Sequence, residues 1–303
     1  HVDLFGNDQK DLSSPENDER FKLIQEVLAK FKEASTFGSL ICMDSPEQDF
    51  IDLQNTLEGL VIEGDTLQKA AAKKLLPLVI QAKLLAKQYD AVIANPPYMG
   101  GKGMNTALKD FARRAFPDSK SDLFAMFIER GFEWCKDSGF NSMVTMQSWM
   151  FLSSYEAMRE KLLQDRTLSC MVHMGNGVMG IAFGTAATVM INNHIRNYSG
   201  SFSYCENDDL NENGVPKHFP VQNERLKTAK PDDFKKIPGS PIAYWLDEKA
   251  SLPFSWEGKI STNSQLIQGM ITGNNSLYLR YWFEINKNSN SITKISGIQP
   301  KQC

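Results

Sequence analysis

The sequence predicts an α/β fold with an open sheet, on three observations. The run Ala91-Val92-Ile93-Ala94 is short, apolar and β-branched at its centre, the pattern of a buried strand. It stops abruptly at Asn95-Pro96-Pro97-Tyr98. Two prolines have no N–H to give to a sheet and fix φ, so the chain must leave the strand in a rigid turn. Beyond the turn, helical and strand periodicities alternate down to residue 192. In an open α/β sheet, ligands bind at the C-terminal ends of strands. Asn95 and Tyr98, held on a stiff turn at such an end, therefore read as a site.

The elements before the turn follow from local signals. Residues 1–5 read as the end of a strand whose beginning is absent, and 13–18 as a polar loop. Phe21, Ile24, Val27, Leu28 and Phe31 recur at helical spacing, which predicts an amphipathic helix over 19–33. Residues 38–41 are expected to form a short strand, and 44–64 an acidic connection with some helix. Asp65-Thr66-Leu67-Gln68 has the form of a capping box, opening a lysine-bearing helix over 67–88 that Pro77 is expected to kink. That helix delivers the chain into the Ala91–Ala94 strand.

After the turn, Met99 to Asn105 is Gly-rich and weakly basic. Lys102, Lys109, Arg113, Arg114 and Lys120 outnumber Asp110 and Asp118 there, and two readings stand: a solvated loop and helix face, or a surface that tracks nucleic-acid phosphates. Ser121-Asp122-Leu123-Phe124 opens a helix to about residue 137, with Leu123, Phe124, Phe127, Ile128 and Phe132 on one face. A strand over 140–146, a helix opened by the box Ser153-Ser154-Tyr155-Glu156, and strands over 168–174, 185–192 and 201–205 complete the succession. Gly175-Asn176-Gly177-Val178-Met179-Gly180 is formally a GxGxxG after a strand. Another strand follows it within a few residues, leaving no helix N-terminus for a pyrophosphate, so it is not read as a nucleotide loop. Phe183, at the end of that loop, is either a core residue or a second aromatic face opposite Tyr98.

Composition excludes more than it selects. The 303 residues are 42% hydrophobic and 23% charged, with a formal net charge of −3, which fits an ordinary globular protein with no global basic footprint for nucleic acid. No run approaches the roughly 18 apolar residues of a membrane span, and the polar start is no signal peptide. Five single cysteines without a CxxC pair point to a reduced, cytoplasmic setting and away from structural zinc. The four histidines show no metal-ligand spacing, and His173, in a predicted strand, reads as a satisfied core histidine. From residue 206 to 239 the sequence turns polar and aperiodic, which places a linker there between units 1–205 and 240–303. The second unit interleaves Trp245, Trp256, Tyr278, Arg280, Tyr281 and Trp282, a pattern shared by base-stacking surfaces and small β-rich cores.

The Asn95-Pro96-Pro97-Tyr98 tetrapeptide resembles the signature of enzymes that methylate a planar exocyclic nitrogen, mainly adenine N6 in DNA. Four segments are similar to the large adenine-specific DNA methyltransferases of bacterial BREX-type phage defence. They are Asn95-Pro96-Pro97-Tyr98-Met99-Gly100, the stretch from Pro117 to Phe124, the stretch from Met146 to Ser154, and Ser240-Pro241-Ile242-Ala243-Tyr244-Trp245-Leu246. The resemblance covers most of residues 75–282. It implies part of a Rossmann-like sheet with an antiparallel last strand, S-adenosylmethionine as methyl donor, and transfer to an adenine flipped out of double-stranded DNA. It also implies a target-recognition unit beginning in 240–303, partner subunits in a bacterial cytoplasm, and no metal or membrane. Carried over by position, Asn95, Pro96 and Pro97 meet the target amine, and Tyr98 and Phe183 flank the base. Asn95 and Asp122 lie near the cofactor, and Asp3 meets its adenine ring. Lys102, Arg113, Arg114 and Lys120 would face the DNA backbone.

One departure stands against that pattern. Such enzymes hold the methionine part of the cofactor on a glycine-rich loop upstream of the tetrapeptide, yet Gly6, Gly38, Gly59 and Gly64 are isolated. The sequence therefore reads as the catalytic half of a methyltransferase domain joined to an incomplete recognition region, expected to need upstream sequence for activity. The same tetrapeptide also serves methyltransferases of RNA bases and of protein glutamine. A non-catalytic DNA-binding subunit that has lost the cofactor site is the alternative from another class.

Overall fold

The computed structural model of the protein describes residues 18–218 and 223–247. It opens with helices: α1 (Glu19–Lys30), a short α2 (Ala34–Phe37), α3 (Glu47–Glu63) and α4 (Thr66–Ala86). Asp18 caps α1 by accepting from the Arg20 N–H, and Asp65 and Gln68 form the expected reciprocal capping box on α4. Pro77 lies inside α4, which nevertheless runs unbroken. Ile24, Leu53, Leu57, Ala72 and Val79 meet in one buried cluster, so α1, α3 and α4 share a core of their own.

One sequence reading fails in this layer: residues 38–40 form a 3-10 turn rather than a strand. The connection expected to hold some helix is mostly helix, the 17-residue α3. Its buried Phe50, Leu53 and Leu57 have helical spacing, but the acidic residues between them mask the stripe.

After α4 come β1 (Tyr89–Ala94), α5 (Thr106–Ala115), α6 (Leu123–Trp134), β2 (Cys135–Met146), α7 (Glu156–Asp165), β3 (Thr167–Met174), β4 (Thr185–Ile191), β5 (Gly200–Cys205), β6 (Lys227–Ala229) and α8 (Pro231–Phe234). The strands form one sheet in the order β1-β2-β4-β3-β5-β6. β1 is parallel to β2, and β4 runs antiparallel to both β2 and β3. β5 is parallel to β3, and β6 closes the far edge antiparallel. This is the predicted α/β sheet; its antiparallel β4 sits between β2 and β3 and is followed by β5 and β6 rather than coming last. The helix after the 3-10 turn Ser153–Tyr155 begins at Glu156 without a side-chain cap, so the expected capping box there is not made.

The main core lies on one face of the sheet, where Phe124, Ile128 and Phe132 of α6, Met158 and Leu162 of α7 and Phe234 of α8 pack together. β1 departs from its reading as a buried strand. Among the described residues it is an edge, with Ile93 81% exposed. A short apolar run looks the same in sequence whether a sheet covers both its edges or one. Residues 206–239 do not form a simple linker either, since β6 pairs with β5 and α8 joins the core. Ile242 and Tyr244 follow into the same core, with Tyr244 stacked on Phe202 at 5.1 Å. Trp256, Tyr278, Arg280, Tyr281 and Trp282 lie outside the described residues.

Two buried arginines knit these parts together. Arg130 on α6 donates to the carbonyls of Ser39, Ile41 and Leu85, tying the N-terminal helices to the sheet's helical layer. Arg159 on α7 donates to the carbonyls of Trp149, Leu152 and Gly239. No described helix is long and apolar enough to cross a membrane.

Candidate functional site

The site is built on the end of β1. Asn95 is exposed where the prolines turn the chain away from the sheet, Pro96 is buried, Pro97 is exposed, and Tyr98 is half-buried. The Tyr98 hydroxyl lies 3.3 Å from Asn95 Oδ1 and 3.2 Å from the Val144 carbonyl of β2. It has one proton to share between them. When that proton goes to Val144, the Asn95 oxygen keeps its lone pairs for an incoming donor. Burial raises the Tyr98 phenol above its usual range, so it remains a donor at neutral pH.

Around this turn the ring of Tyr98 is fixed from two sides. Phe124 of α6 meets it edge-on at 6.1 Å and 87°, and Phe183 meets it at 5.7 Å and 67°. Phe183 is 38% exposed. It is thus neither a core residue nor one wall of a ready-made parallel slot: its ring touches Tyr98 directly. A flat ligand stacking on that side of Tyr98 would have to push Phe183 aside.

Asp122 holds the turn from below. Its Oδ1 accepts from the Met99 N–H at 2.9 Å and from the Phe124 N–H at 3.3 Å, so one carboxylate fixes the Asn-Pro-Pro-Tyr-Met segment and caps α6. Met99 returns the link, its carbonyl accepting from Leu123 N–H at 3.1 Å. Burial pushes the Asp122 carboxyl up, against the lowering effect of these backbone donors. The loop beyond is closed: Gly103 N–H donates to the Gly100 carbonyl, and a Cβ on Gly103 would meet Met99 Cγ at 2.7 Å.

The basic residues do not gather in one segment at this turn. Lys102, Arg113, Arg114 and Lys120 are all exposed, on the loop, on α5 and ahead of α6. Arg113 is paired with Asp110 at 3.1 Å, and Arg114 Nε donates to the Asp110 carbonyl. Asp3 lies outside the described residues. The 175–180 loop makes a 3-10 turn and passes into β4 with no helix, which is the context that argued against a nucleotide fingerprint. No group of three His, Cys, Asp or Glu among the described residues could hold a metal ion.

His173 is a satisfied core histidine, as expected, and it links more than was foreseen. Its Nδ1 lies 3.0 Å from the Tyr244 hydroxyl and its Nε2 lies 2.6 Å from Gln147 Oε1. Burial lowers its pKa to about 4. The unfolded chain's imidazole binds its proton near pH 6.5 while the native one stays neutral, so stability falls as pH drops from about 6.5 toward about 4. This should amount to roughly 2 kcal/mol between pH 7 and 5. His173→Gln is expected to lose that share of the slope in urea melts at the two pH values; equal slopes would contradict it.

The fold and the turn define an α/β protein that presents Asn-Pro-Pro-Tyr at the C-terminal end of an edge strand. Residues 20–179 match the Eco57I restriction-modification methylase family, and the chain belongs to that family. It is 46% identical over 279 residues to the adenine-specific methyltransferase BrxX of Escherichia coli O9:H4 (strain HS), covering 89% of this chain and 22% of that protein. It is 31% identical over 279 residues to the adenine-specific methyltransferase PglX of Lacticaseibacillus casei (strain Zhang), covering 86% of this chain and 23% of that one. The chain therefore spans less than a quarter of the length of these curated relatives. The crystal structure of a type I restriction-modification methyltransferase subunit from Streptococcus thermophilus superposes with a TM-score of 0.39 at 12% identity, over 57% of this chain and 46% of that one. The likeness to adenine-specific methyltransferases read from the motifs is borne out by both relatives.

Proposed function

We propose that this chain carries the acceptor side of an N6-adenine DNA methyltransferase. The observation that carries the reading is the end of β1, where Asn95 Oδ1 stands exposed beside the Tyr98 ring on a proline-stiffened turn. Adenine N6 is a poor nucleophile because its lone pair is delocalised into the ring. The Asn95 side-chain oxygen and the Pro96 carbonyl each accept a hydrogen bond from the amine. Together they would favour a pyramidal N6, which is positioning and electrostatic stabilisation rather than base catalysis. Its lone pair forms the N–CH3 bond as the donor's S–CH3 bond breaks, the thioether leaving with the bonding pair and N6 giving one proton to solvent. The adenine reaches this place by leaving the duplex, with one face on Tyr98 and Phe183 displaced to cover the other. Asp122 holds the turn through Met99. In this reading the exposed Lys102, Arg113, Arg114 and Lys120 meet DNA phosphates.

The methyl donor in this reading is S-adenosylmethionine, whose sulfonium carries the methyl group. The described residues do not by themselves fit a complete site for it, because no glycine-rich loop follows a strand upstream of β1 among them. The working protein acts on double-stranded DNA, with other subunits of a phage-defence system, in the bacterial cytoplasm.

Product analysis tests the proposal. Labelled S-adenosylmethionine is supplied with DNA, RNA and a glutamine-containing peptide, and the products are digested and identified by mass spectrometry. The expected product is N6-methyldeoxyadenosine from DNA. Label in RNA or on glutamine would overturn the DNA assignment, and label in none, with the full-length protein in the assay, would favour a non-catalytic subunit.

A further inference from the structure

The backbone beside Phe183 is held by a residue outside the Asn-Pro-Pro-Tyr turn. Gln147 follows directly on β2, three residues beyond the Val144 carbonyl that faces the Tyr98 hydroxyl. Its N–H donates to the carbonyl of Gly184, the residue next to Phe183, at 3.1 Å. Its side-chain amide lies flat on the same glycine: a Cβ at position 184 would come within 2.4 Å of Gln147 Cδ and Oε1. Real Cβ atoms do not approach so closely, so Gly184 is the space that Gln147 fills. One strand end thus anchors both aromatic residues, Tyr98 through Val144 and Phe183 through Gln147.

A glutamine side chain has three rotatable bonds and needs a partner to stay in one place. The partner here is His173, buried to 8% exposure. With the Gln147 oxygen facing it at 2.6 Å, His173 Nε2 carries the proton and donates, and Nδ1 accepts from the Tyr244 hydroxyl. The ring of Tyr204, 4.8 Å from the imidazole, closes one side. Each donor in the chain Tyr244–His173–Gln147 has one acceptor, so the amide is held from the core outward.

We propose that Gln147 and His173 are positioning residues for Phe183: the imidazole locks the Gln147 amide on Gly184, and that contact fixes Phe183 over Tyr98. The role rests on the reading that Tyr98 and Phe183 flank an extruded base. If so, the network sets how readily Phe183 yields to a base and re-covers it.

Two readouts separate this proposal from the reading beneath it. The first needs no nucleic acid: the aromatic NMR signals of Phe183, shifted by the ring current of Tyr98, report where Phe183 stands. Gln147→Leu and Gly184→Ala should both move these signals. Gln147→Glu, which keeps an acceptor for His173 Nε2–H, should leave them close to wild type. The second is the fluorescence of 2-aminopurine placed at the target adenine of an oligonucleotide, which changes when the base leaves its neighbours and stacks on the protein. Gln147→Leu frees Phe183 from the place a base must take, so it should raise that change at least two-fold with less than a two-fold change in oligonucleotide affinity, and Gln147→Glu should return it close to wild type. Phe183 signals unmoved in both Gln147→Leu and Gly184→Ala would overturn the positioning role. A 2-aminopurine response indifferent to Tyr98→Ala would instead overturn the base-stacking reading, with the NMR comparison still deciding on Gln147.

Discussion

Asn95→Ala is expected to lower the rate of methyl transfer to adenine by about 10²–10³-fold, the loss typical of removing one preorganised group that faces developing charge. The physical reason is specific. As N6 turns pyramidal and begins to carry positive charge, its N–H groups become stronger donors, so an acceptor is worth more in the transition state than in the bound substrate. Alanine leaves the Pro96 carbonyl as the single acceptor. Asn95 is exposed, and its side-chain oxygen faces the Tyr98 hydroxyl at 3.3 Å, a contact that Tyr98 can replace with the Val144 carbonyl. DNA affinity should stay within about two-fold, because phosphate contacts carry most of the binding. Asn95→Asp keeps an acceptor oxygen and is expected to fall between the two. Rates of tritium transfer to DNA under saturating donor, compared with affinities from fluorescence anisotropy, check this. Loss of affinity in step with rate would place Asn95 in binding rather than in the transition state.

Arg159→Leu is expected to have the largest effect on stability, about 3–5 kcal/mol. The side chain is 1% exposed and its guanidinium donates to three backbone carbonyls, those of Trp149, Leu152 and Gly239. Leucine would fill part of the volume but leave the buried Trp149 carbonyl and the half-buried Gly239 carbonyl without this donor, where an unmade hydrogen bond costs most, while the Leu152 carbonyl keeps the Tyr155 N–H at 3.1 Å. The segments it joins matter for the site. One runs on from Gln147, and the other leads through the Ile242 N–H, which donates to the Met150 carbonyl, to Tyr244. Arg159→Leu should therefore also perturb the His173 environment at temperatures where the chain is still folded. The urea midpoint and the His173 imidazole signals check both parts; a loss under 1 kcal/mol would mean that water or the loops themselves satisfy these carbonyls.

The sequence was most legible where chemistry and backbone geometry coincide. Asn95-Pro96-Pro97-Tyr98 declares both the end of a strand and the groups exposed there, because proline cannot remain in the ladder. The Asp65/Gln68 capping box and the Asp122 cap were likewise readable, since a cap needs particular side chains at fixed spacing. What was illegible depends on tertiary context. Nothing in Ala91–Ala94 tells an edge strand from a central one. The acidic residues of α3 concealed its buried stripe, and a polar composition over 206–239 concealed the short β6 and α8, whose few apolar side chains suffice to hold them on an existing sheet. Gln147, His173 and Gly184 lie far apart in sequence, and only the pairing of β2, β3 and β4 brings them together. The sequence leaves Phe183 as either a core residue or a second face opposite Tyr98, and cannot show that the two rings touch.

The most direct test of the acceptor-site account is a structure of the protein with an adenine-containing oligonucleotide and a non-transferable analogue of the methyl donor. The decisive measurement is the distance from adenine N6 to Asn95 Oδ1 and to the Pro96 carbonyl. The account predicts both at hydrogen-bond length, about 2.7–3.2 Å, with the base stacked on Tyr98. An extruded adenine whose amine faces neither oxygen, or a base that stays in the duplex above this turn, would contradict it.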